Sequence, residues 1–277
     1  MTQSVRVDES YRGAVEVLND PFVFRWTVNL SGYEWAEGAD RKLRLFPIFV
    51  PGAGGRLLYP PERGLFREFA ALSPTRDAIL EFAEKYGDLF CSWNMMHTRV
   101  SHGSLAGGTS LERWKAKIGD MRDLVDIWEQ IQDQQRHREL NKIIVRTGNA
   151  ICYQRGGTDV TLARGEDLNR FNPKDVVLPA RCALQWEINR RLSDTETPTL
   201  TVAHLALTRD NRPRMVFRPS NLLADMWVRF AQMIAGEFRL KQCAVCNEYF
   251  QVGPGGRRQH TETCSPRCRK QKSRTSR

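Results

Sequence analysis

The amino-acid sequence predicts an α+β fold, with a mostly helical main domain that contains β-hairpins and a small appendage at the C-terminal end. Two observations predict the main domain: long stretches carry apolar residues at helical spacing, and shorter strand-like runs flank glycine-rich turns. The third observation is the concentration of four of the seven cysteines between positions 243 and 268. We therefore expect residues 1–236 to form an α+β domain and residues 237–277 to form a small separate module.

The first third of the chain combines strand-like runs with loops. Phe22–Leu30 and Leu43–Val50 are rich in aromatic and β-branched residues, as strands are. After them, Ser73 and Pro74 read as an N-cap followed by proline at the first helical position. The apolar residues that follow lie on one helical face and are expected to be core: Ile79, Phe82, Ala83, Tyr86, Leu89 and Phe90.

The clearest helix of the chain begins near position 111. Thr109 and Glu112 have the spacing of a capping box, in which each side chain accepts a hydrogen bond from a free amide of the first turn. The apolar residues beyond recur at i, i+3, i+4 and i+7, so this helix is expected to be amphipathic. They are Leu111, Trp114, Ile118, Met121, Val125, Trp128 and Ile131.

Two hairpins and two more helices are predicted in the rest of the main domain. The runs AICYQ and VTLA flank RGGTD, and the runs TLTVAHLAL and RMVF flank RDNRP. Pro179–Leu192 has helical spacing, and Ser220 is placed to cap a helix that carries Leu222 to Ile234. Because that helix ends close to Cys243, the appendage is expected to lie close to the main domain.

The net charge of +10 is concentrated at the C-terminal end. Residues 239–277 contain ten lysines and arginines against Glu248 and Glu262, whereas the other 238 residues contain 32 basic and 30 acidic side chains. A local excess of positive charge attracts polyanions. We therefore expect a polyanionic partner, nucleic acid above all, to bind this end of the chain.

The composition is that of a globular protein, and the apolar runs are too short and interrupted to span a bilayer. The first residues, MTQSVRVDESYRG, lack the apolar stretch of a secretory signal. We therefore expect a cytoplasmic protein without membrane association, in which thiols stay reduced and available to metal ions.

The cysteines follow the spacing Cys243-x2-Cys246-x17-Cys264-x3-Cys268, which forms two close pairs. Each pair fits on one tight turn, and two pairs supply the four ligands of a tetrahedral Zn²⁺ site. A site closed by four thiolates leaves no position for water or substrate, so we expect a structural zinc that folds a zinc ribbon. His260 is close enough to Cys264 in the sequence to be an alternative ligand.

Ser265 and Pro266 predict a helix that begins between the last two cysteines. At 100° per residue, its basic side chains form a stripe and a flank, and the preceding loop adds two arginines. We expect these cations to bind phosphates, with a solvated tail that only keeps the protein soluble as the alternative. The candidate nucleic-acid-binding residues are Arg257, Arg258, Arg267, Arg269, Lys270, Lys272, Arg274 and Arg277.

The cysteine-rich segment resembles the bacterial zinc-ribbon proteins of the CGNR type, which are described as stress-induced transcription regulators. The resemblance is carried by the helix that leads into Cys-x2-Cys, the aromatic pair Tyr249–Phe250, the arginines before Cys264, and Cys-Ser followed by a basic end. It implies an N-terminal ABATE-like domain and a zinc ribbon that binds DNA. Where the family has Cys-Gly-Asn-Arg, this chain has Cys268-Arg269-Lys270-Gln271, so it resembles a divergent member. The aromatic pair is expected to pack inside the ribbon, with base stacking as the alternative.

Other classes of function are also considered. Cys91 with His97 and His102 offers a thiol and imidazoles that can act as nucleophile and base, but closeness in sequence establishes no geometry, and we expect no enzyme. The glycine-rich PGAGGRLL lacks the Gly-Lys-Ser/Thr of a phosphate-binding loop. A further possibility is that residues 1–236 bind a small-molecule or protein effector and the ribbon only completes the fold. We expect a DNA-binding transcription regulator, with RNA binding and the sensing module as alternatives.

Overall fold

The computed structural model describes residues 26–48, 50, 55–58, 64–90, 108–193, 200–207, 213–219, 221–236, 239–253 and 257–275. Helices and antiparallel sheets alternate along these ranges, which confirms the α+β class. The chain divides into two compact units that interleave in sequence. Unit 1 comprises residues 1–63, 76–111 and 192–228, and unit 2 comprises residues 64–75, 112–191 and 229–277. The boundary at residue 236 remains a prediction.

The described part of unit 1 is built from short antiparallel sheets and helices. Strands β1 (Trp26–Asn29) and β4 (Gly55–Leu58) form one sheet, and β2 (Tyr33–Glu37), β3 (Leu43–Pro47) and β5 (Thr109–Ser110) form another in that order. Helix α2 (Arg76–Tyr86) packs against β1 and β2 and buries Ile79, Phe82 and Ala83, as predicted.

The hairpin predicted around residues 208–212 is confirmed in unit 1, where β9 (Leu200–Leu207) pairs antiparallel with β10 (Pro213–Pro219). The following helix, α6 (Leu222–Ile234), is confirmed as well, and the Asn221 side chain accepts a hydrogen bond from the amide of Ala224 at its start. Asn221 thus performs the capping role. Ser220, the predicted cap, lies outside the described residues.

The capping box predicted at Thr109 is wrong. Thr109 lies in β5, and its hydroxyl donates a hydrogen bond to the buried carboxyl group of Asp88 at 2.8 Å. The backbone of Thr109 pairs with Leu45 of β3, and the strand continues directly into helix α3 (Leu111–Gln132). Thr109 is therefore a strand residue and does not cap the helix.

Unit 2 contains most of the helical residues and the cysteine-rich end. Helix α1 (Leu65–Ala71) packs on α3 through Phe69 and Trp114, whose ring centroids lie 6.3 Å apart, and Arg67 forms an ion pair with Glu129. Arg122 of α3 donates hydrogen bonds to the carbonyl groups of Ala70 and Leu72 at the end of α1. Helix α1 is therefore fixed on α3 by aromatic, ionic and capping contacts.

A three-stranded meander follows α3 in unit 2. After a short helix, α4 (His137–Leu140), strands β6 (Ile144–Arg146), β7 (Ala150–Arg155) and β8 (Thr158–Arg164) pair in sequence order. The predicted hairpin between β7 and β8 is confirmed, and its loop residues Gly156 and Gly157 have φ angles of +56° and +81°. Positive φ at both positions is what a two-residue hairpin loop requires, which explains the glycines.

The remaining elements of unit 2 are α5 (Val177–Leu192), as predicted, then β11 (Arg239–Gln242), β12 (Tyr249–Val252) and the final helix α7 (Pro266–Thr275). None of the helices in the described ranges combines the length and apolar character needed to cross a membrane.

Candidate functional site

The first cysteine pair lies in the loop of the hairpin formed by β11 and β12. Cys243 directly follows β11, and its amide donates a hydrogen bond to the carbonyl oxygen of Glu248, 2.8 Å away, across the loop. The amide of Asn247 donates a hydrogen bond to the carbonyl oxygen of Cys243. Asn247 has a φ of +60°, which asparagine tolerates better than most residues. This tight turn points the Cys243 and Cys246 sulfurs to one place.

The second pair is carried by the start of α7. The helix begins at Pro266, and the Ser265 hydroxyl accepts a hydrogen bond from the amide of Cys268 at 3.2 Å. The predicted N-cap and proline start are therefore confirmed. Because the cap fixes the first turn, Cys264 just before the helix and Cys268 inside it are held one turn apart.

All four sulfurs lie within 4.8 Å of one another. Cys264 Sγ is 3.4 Å from Cys246 Sγ and 3.6 Å from Cys268 Sγ. Four sulfurs bound at about 2.3 Å around one tetrahedral ion are separated by about 3.8 Å, close to these distances. The cysteines are free thiols, and the set is placed to bind a metal ion. His260 is exposed and lies outside this cluster.

The electrostatics of the cluster also fit a cation. Burial acts to raise the pKa of the Cys243 thiol, but hydrogen bonds from the backbone amides of Cys246, Cys264 and Val245 lower that pKa to about 6. The amide of Glu248 acts to lower the pKa of Cys246, yet burial and the neighbouring thiols raise it to about 12. Burial raises the pKa of Cys264 as well. Ionising every thiol in so small a volume is unfavourable without a bound cation.

The cluster has a small apolar core of its own. Phe250, Val252 and the two buried cysteines, Cys243 and Cys268, form it, and Val245 packs against them. Phe250 thus packs inside the hairpin module, as expected. So small a core cannot by itself stabilise a segment of this length, which is the situation in which metal binding contributes folding free energy.

Tyr249 instead faces helix α1 of the same unit. The guanidinium carbon of Arg67 lies 5.0 Å from the centre of the Tyr249 ring, within the range of a cation–π contact. Gly64, the residue before α1, is so close that a Cβ built there would lie 2.7 Å from Tyr249 Cβ. The cysteine module is therefore packed directly on α1, and only a residue without a side chain fits at position 64.

The predicted nucleic-acid-binding residues fall into two groups. Arg267, Lys270 and Arg274 are exposed on α7 and have no acidic partner among the described residues. Lys272 forms an ion pair with Glu262, whose pKa is lowered by that hydrogen bond. Arg277 lies outside the described residues.

The other predicted arginines surround a pocket of about 300 Å³ between the loop after β12 and the start of α7. Three arginines and three hydroxyl-bearing residues line it: Arg257, Arg258, Arg269, Thr261, Thr263 and Ser265. The sequence reasoning named the arginines but missed Thr261 and Thr263, because no local pattern distinguishes a threonine that lines a pocket.

The remaining candidate residues do not join this site. Cys91, His97 and His102, the proposed nucleophile and bases, lie outside the described residues. Cys182 lies in α5, and burial raises the pKa of its thiol. Trp114 and Trp227 are fully buried and belong to the packed interior, as their helical positions predict.

Comparison of the chain with protein-family models, with curated proteins and with solved structures found no match. The geometry of the cysteine cluster and the charge around it therefore carry the functional argument.

Proposed function

We propose that Cys243, Cys246, Cys264 and Cys268 bind one structural Zn²⁺ and fold residues 239–275 into a zinc ribbon that binds DNA. Zinc is the ion of choice for four converging thiolates on two short turns. When bound, the ion supplies charge compensation and cross-links the β11–β12 hairpin to α7. The four-thiolate set leaves no ligand position for a substrate, so this role is structural.

The observation that carries DNA binding is the contrast between two sets of arginines in unit 2. Several arginines of the scaffold are neutralised by carboxylates, in the pairs Arg67–Glu129, Arg136–Asp126, Arg155–Asp123, Arg190–Glu187 and Arg191–Asp120. On the ribbon, Arg257, Arg258, Arg267, Arg269, Lys270 and Arg274 are exposed and make no ion pair with the described residues. Unpaired cations on one small module favour a polyanionic partner.

A regulatory role follows from this proposal and from the resemblance to CGNR-type zinc-ribbon proteins. In that scheme residues 1–236 are the part that senses an effector or a partner protein. Packing of Tyr249 on α1 favours such coupling, because a displacement of α1 would move the ribbon directly.

The salt dependence of DNA binding tests the proposal. If the ribbon neutralises about four phosphates of duplex DNA, the logarithm of the association constant falls with the logarithm of salt concentration with a slope near −3.6. Fluorescence anisotropy with a labelled random duplex and with RNA of the same sequence measures the slope and the preference. The triple variant Arg267→Ala, Lys270→Ala, Arg274→Ala should bind more weakly with a shallower slope while keeping one zinc per chain. Binding that ignores salt, or tighter binding of the RNA, contradicts the proposal as stated.

A further inference from the structure

The pocket lined by Arg257, Arg258 and Arg269 differs from the rest of the basic surface because it is concave and combines several kinds of donor. We propose that this pocket holds one phosphate group, and, resting on the function proposed above, that this group belongs to the backbone of the bound DNA. The convex stripe of α7 then supplies general attraction, whereas the pocket fixes how the ribbon sits on the strand.

The chemistry of the lining matches phosphate better than a carboxylate. Three guanidinium groups present planar forks of donors, and no acidic residue lines the pocket. A phosphate group offers several oxygens to several forks at once, whereas a carboxylate has only two. The start of α7 forms one wall, because Ser265 and Arg269, on either side of Pro266, both line the pocket. A volume of about 300 Å³ is at the small end of ligand pockets and suits a single group.

Thr263 provides the second, independent observation. Thr263 lines the pocket and is only 6% exposed, yet its hydroxyl makes no hydrogen bond to any described residue. A hydroxyl on so buried a residue is usually hydrogen-bonded. An anion in the pocket would give this hydroxyl an acceptor.

The walls of the pocket are already fixed in position. The amide of Arg257 donates to the carbonyl of Gln251 at 3.0 Å, which holds the arginine at the end of β12. The amide of Ala244 donates a hydrogen bond to the carbonyl oxygen of Glu262 at 2.9 Å, and the amide of Cys264 donates one to Cys243 Sγ at 3.3 Å. The residues on both sides of Thr263 are therefore bonded to the first cysteine turn. Because the backbone of the lining is held in this way, only side chains need to be ordered when an anion binds.

Two variants and one matched control test the pocket on the full-length, zinc-loaded chain. Thr263→Val keeps the volume and charge but removes the hydroxyl, and Arg269→Ala removes one fork. Arg274→Ala, on the same helix but outside the pocket, removes the same charge. The first probe is inorganic phosphate, followed through the side-chain Nε–H signals of the arginines in NMR spectra. The second is the labelled DNA duplex.

We expect inorganic phosphate to shift the signals of Arg257, Arg258 and Arg269, and the shifts to be weakened by Thr263→Val but not by Arg274→Ala. Loss of a hydrogen bond to a charged group should weaken DNA binding roughly tenfold in Thr263→Val and in Arg269→Ala. Thr263→Val should unfold no more easily than the parent chain, because the Thr263 hydroxyl makes no hydrogen bond to the described residues that the change would remove. A threonine with a purely structural role would instead leave phosphate binding unchanged.

The outcomes separate the two proposals. If DNA binding depends on Arg274 but not on Thr263 or Arg269, the pocket assignment is overturned and the proposed function stands. If phosphate occupies the pocket but the chain does not bind DNA, the proposed function fails, and the pocket is a site for phosphate from a smaller molecule.

Discussion

Replacement of Gly64 by alanine is the sharpest test of how the cysteine module packs on helix α1 within unit 2. The new Cβ would lie 2.7 Å from Tyr249 Cβ and 3.6 Å from Tyr249 Cγ, whereas ordinary contact begins at about 3.4 Å. Tyr249 Cβ is the clashing atom; it is bonded directly to the backbone and cannot rotate away, so α1 and β12 must separate by roughly 0.7 Å to restore ordinary contact. Overpacking of this kind costs about 1–3 kcal/mol of unfolding free energy.

Gly119 provides the control, since it lies inside α3 and a Cβ added there would meet nothing within 4 Å. Gly119→Ala should stabilise the protein by about 0.5–1 kcal/mol, because alanine loses less backbone entropy in a helix. The two glycine-to-alanine changes therefore have opposite signs, which urea unfolding monitored by tryptophan fluorescence can resolve.

A double-mutant cycle isolates the contact itself. In a Tyr249→Gly background the clash is absent, so Gly64→Ala should then cost only the small difference between glycine and alanine at a helix N-cap. The cycle cancels the effect of placing glycine in β12 and leaves a coupling of about 1–3 kcal/mol. If Gly64→Ala is as stable as Gly119→Ala, or if the two changes are additive, the ribbon does not pack on α1 in solution.

Two more predictions concern the metal centre and a surface turn. Cys264→Ser should lose both the zinc and the ordered structure of the β11–β12 module, because zinc binding provides the folding free energy of such modules. Zinc quantification on the purified variant measures this loss. Full zinc occupancy would refute the four-cysteine assignment. The hydrogen bond from Arg44 lowers the pKa of Asp40 to about 2, so its contribution to stability is present above pH 3.8 and is lost as the pH falls through about 2. A carboxyl NMR titration should show that midpoint in the parent chain and a higher one in Arg44→Met, because the largest cause of the lowered pKa is removed.

The parts of the site that depend on residues close in sequence were predictable. Two short cysteine pairs favour tight turns that direct both sulfurs to one side, and Ser265 followed by Pro266 is a common helix start that is realised in α7. The same pattern at Ser73 and Pro74 was less informative, because α2 begins only at Arg76. Gly156–Gly157 likewise predicted a hairpin, because its loop requires positive φ.

The parts that depend on residues far apart in sequence were not predictable. No residue close to Thr109 in the sequence indicates that its hydroxyl donates a hydrogen bond to Asp88. The local pattern therefore predicts a helix cap at a position that lies in a strand. Tyr249 contacts Gly64 and Arg67, which are far from it in the sequence. Thr263 can be recognised as a pocket residue only once the fold places it beside the arginines that follow β12 and lie on α7. Local sequence patterns do not predict contacts between residues that are far apart in the chain.

Cys268 belongs both to the metal cluster and to the first turn of α7. The direction in which each later side chain of α7 points is consequently set by its distance along the chain from that cysteine, at 100° per residue. One residue inserted after Cys268 would leave the sulfur cluster intact but rotate every following cation by more than a quarter turn, away from its present neighbours. The number of residues between the sulfur and the cations, as much as the identity of those cations, thus determines which side of α7 is positively charged.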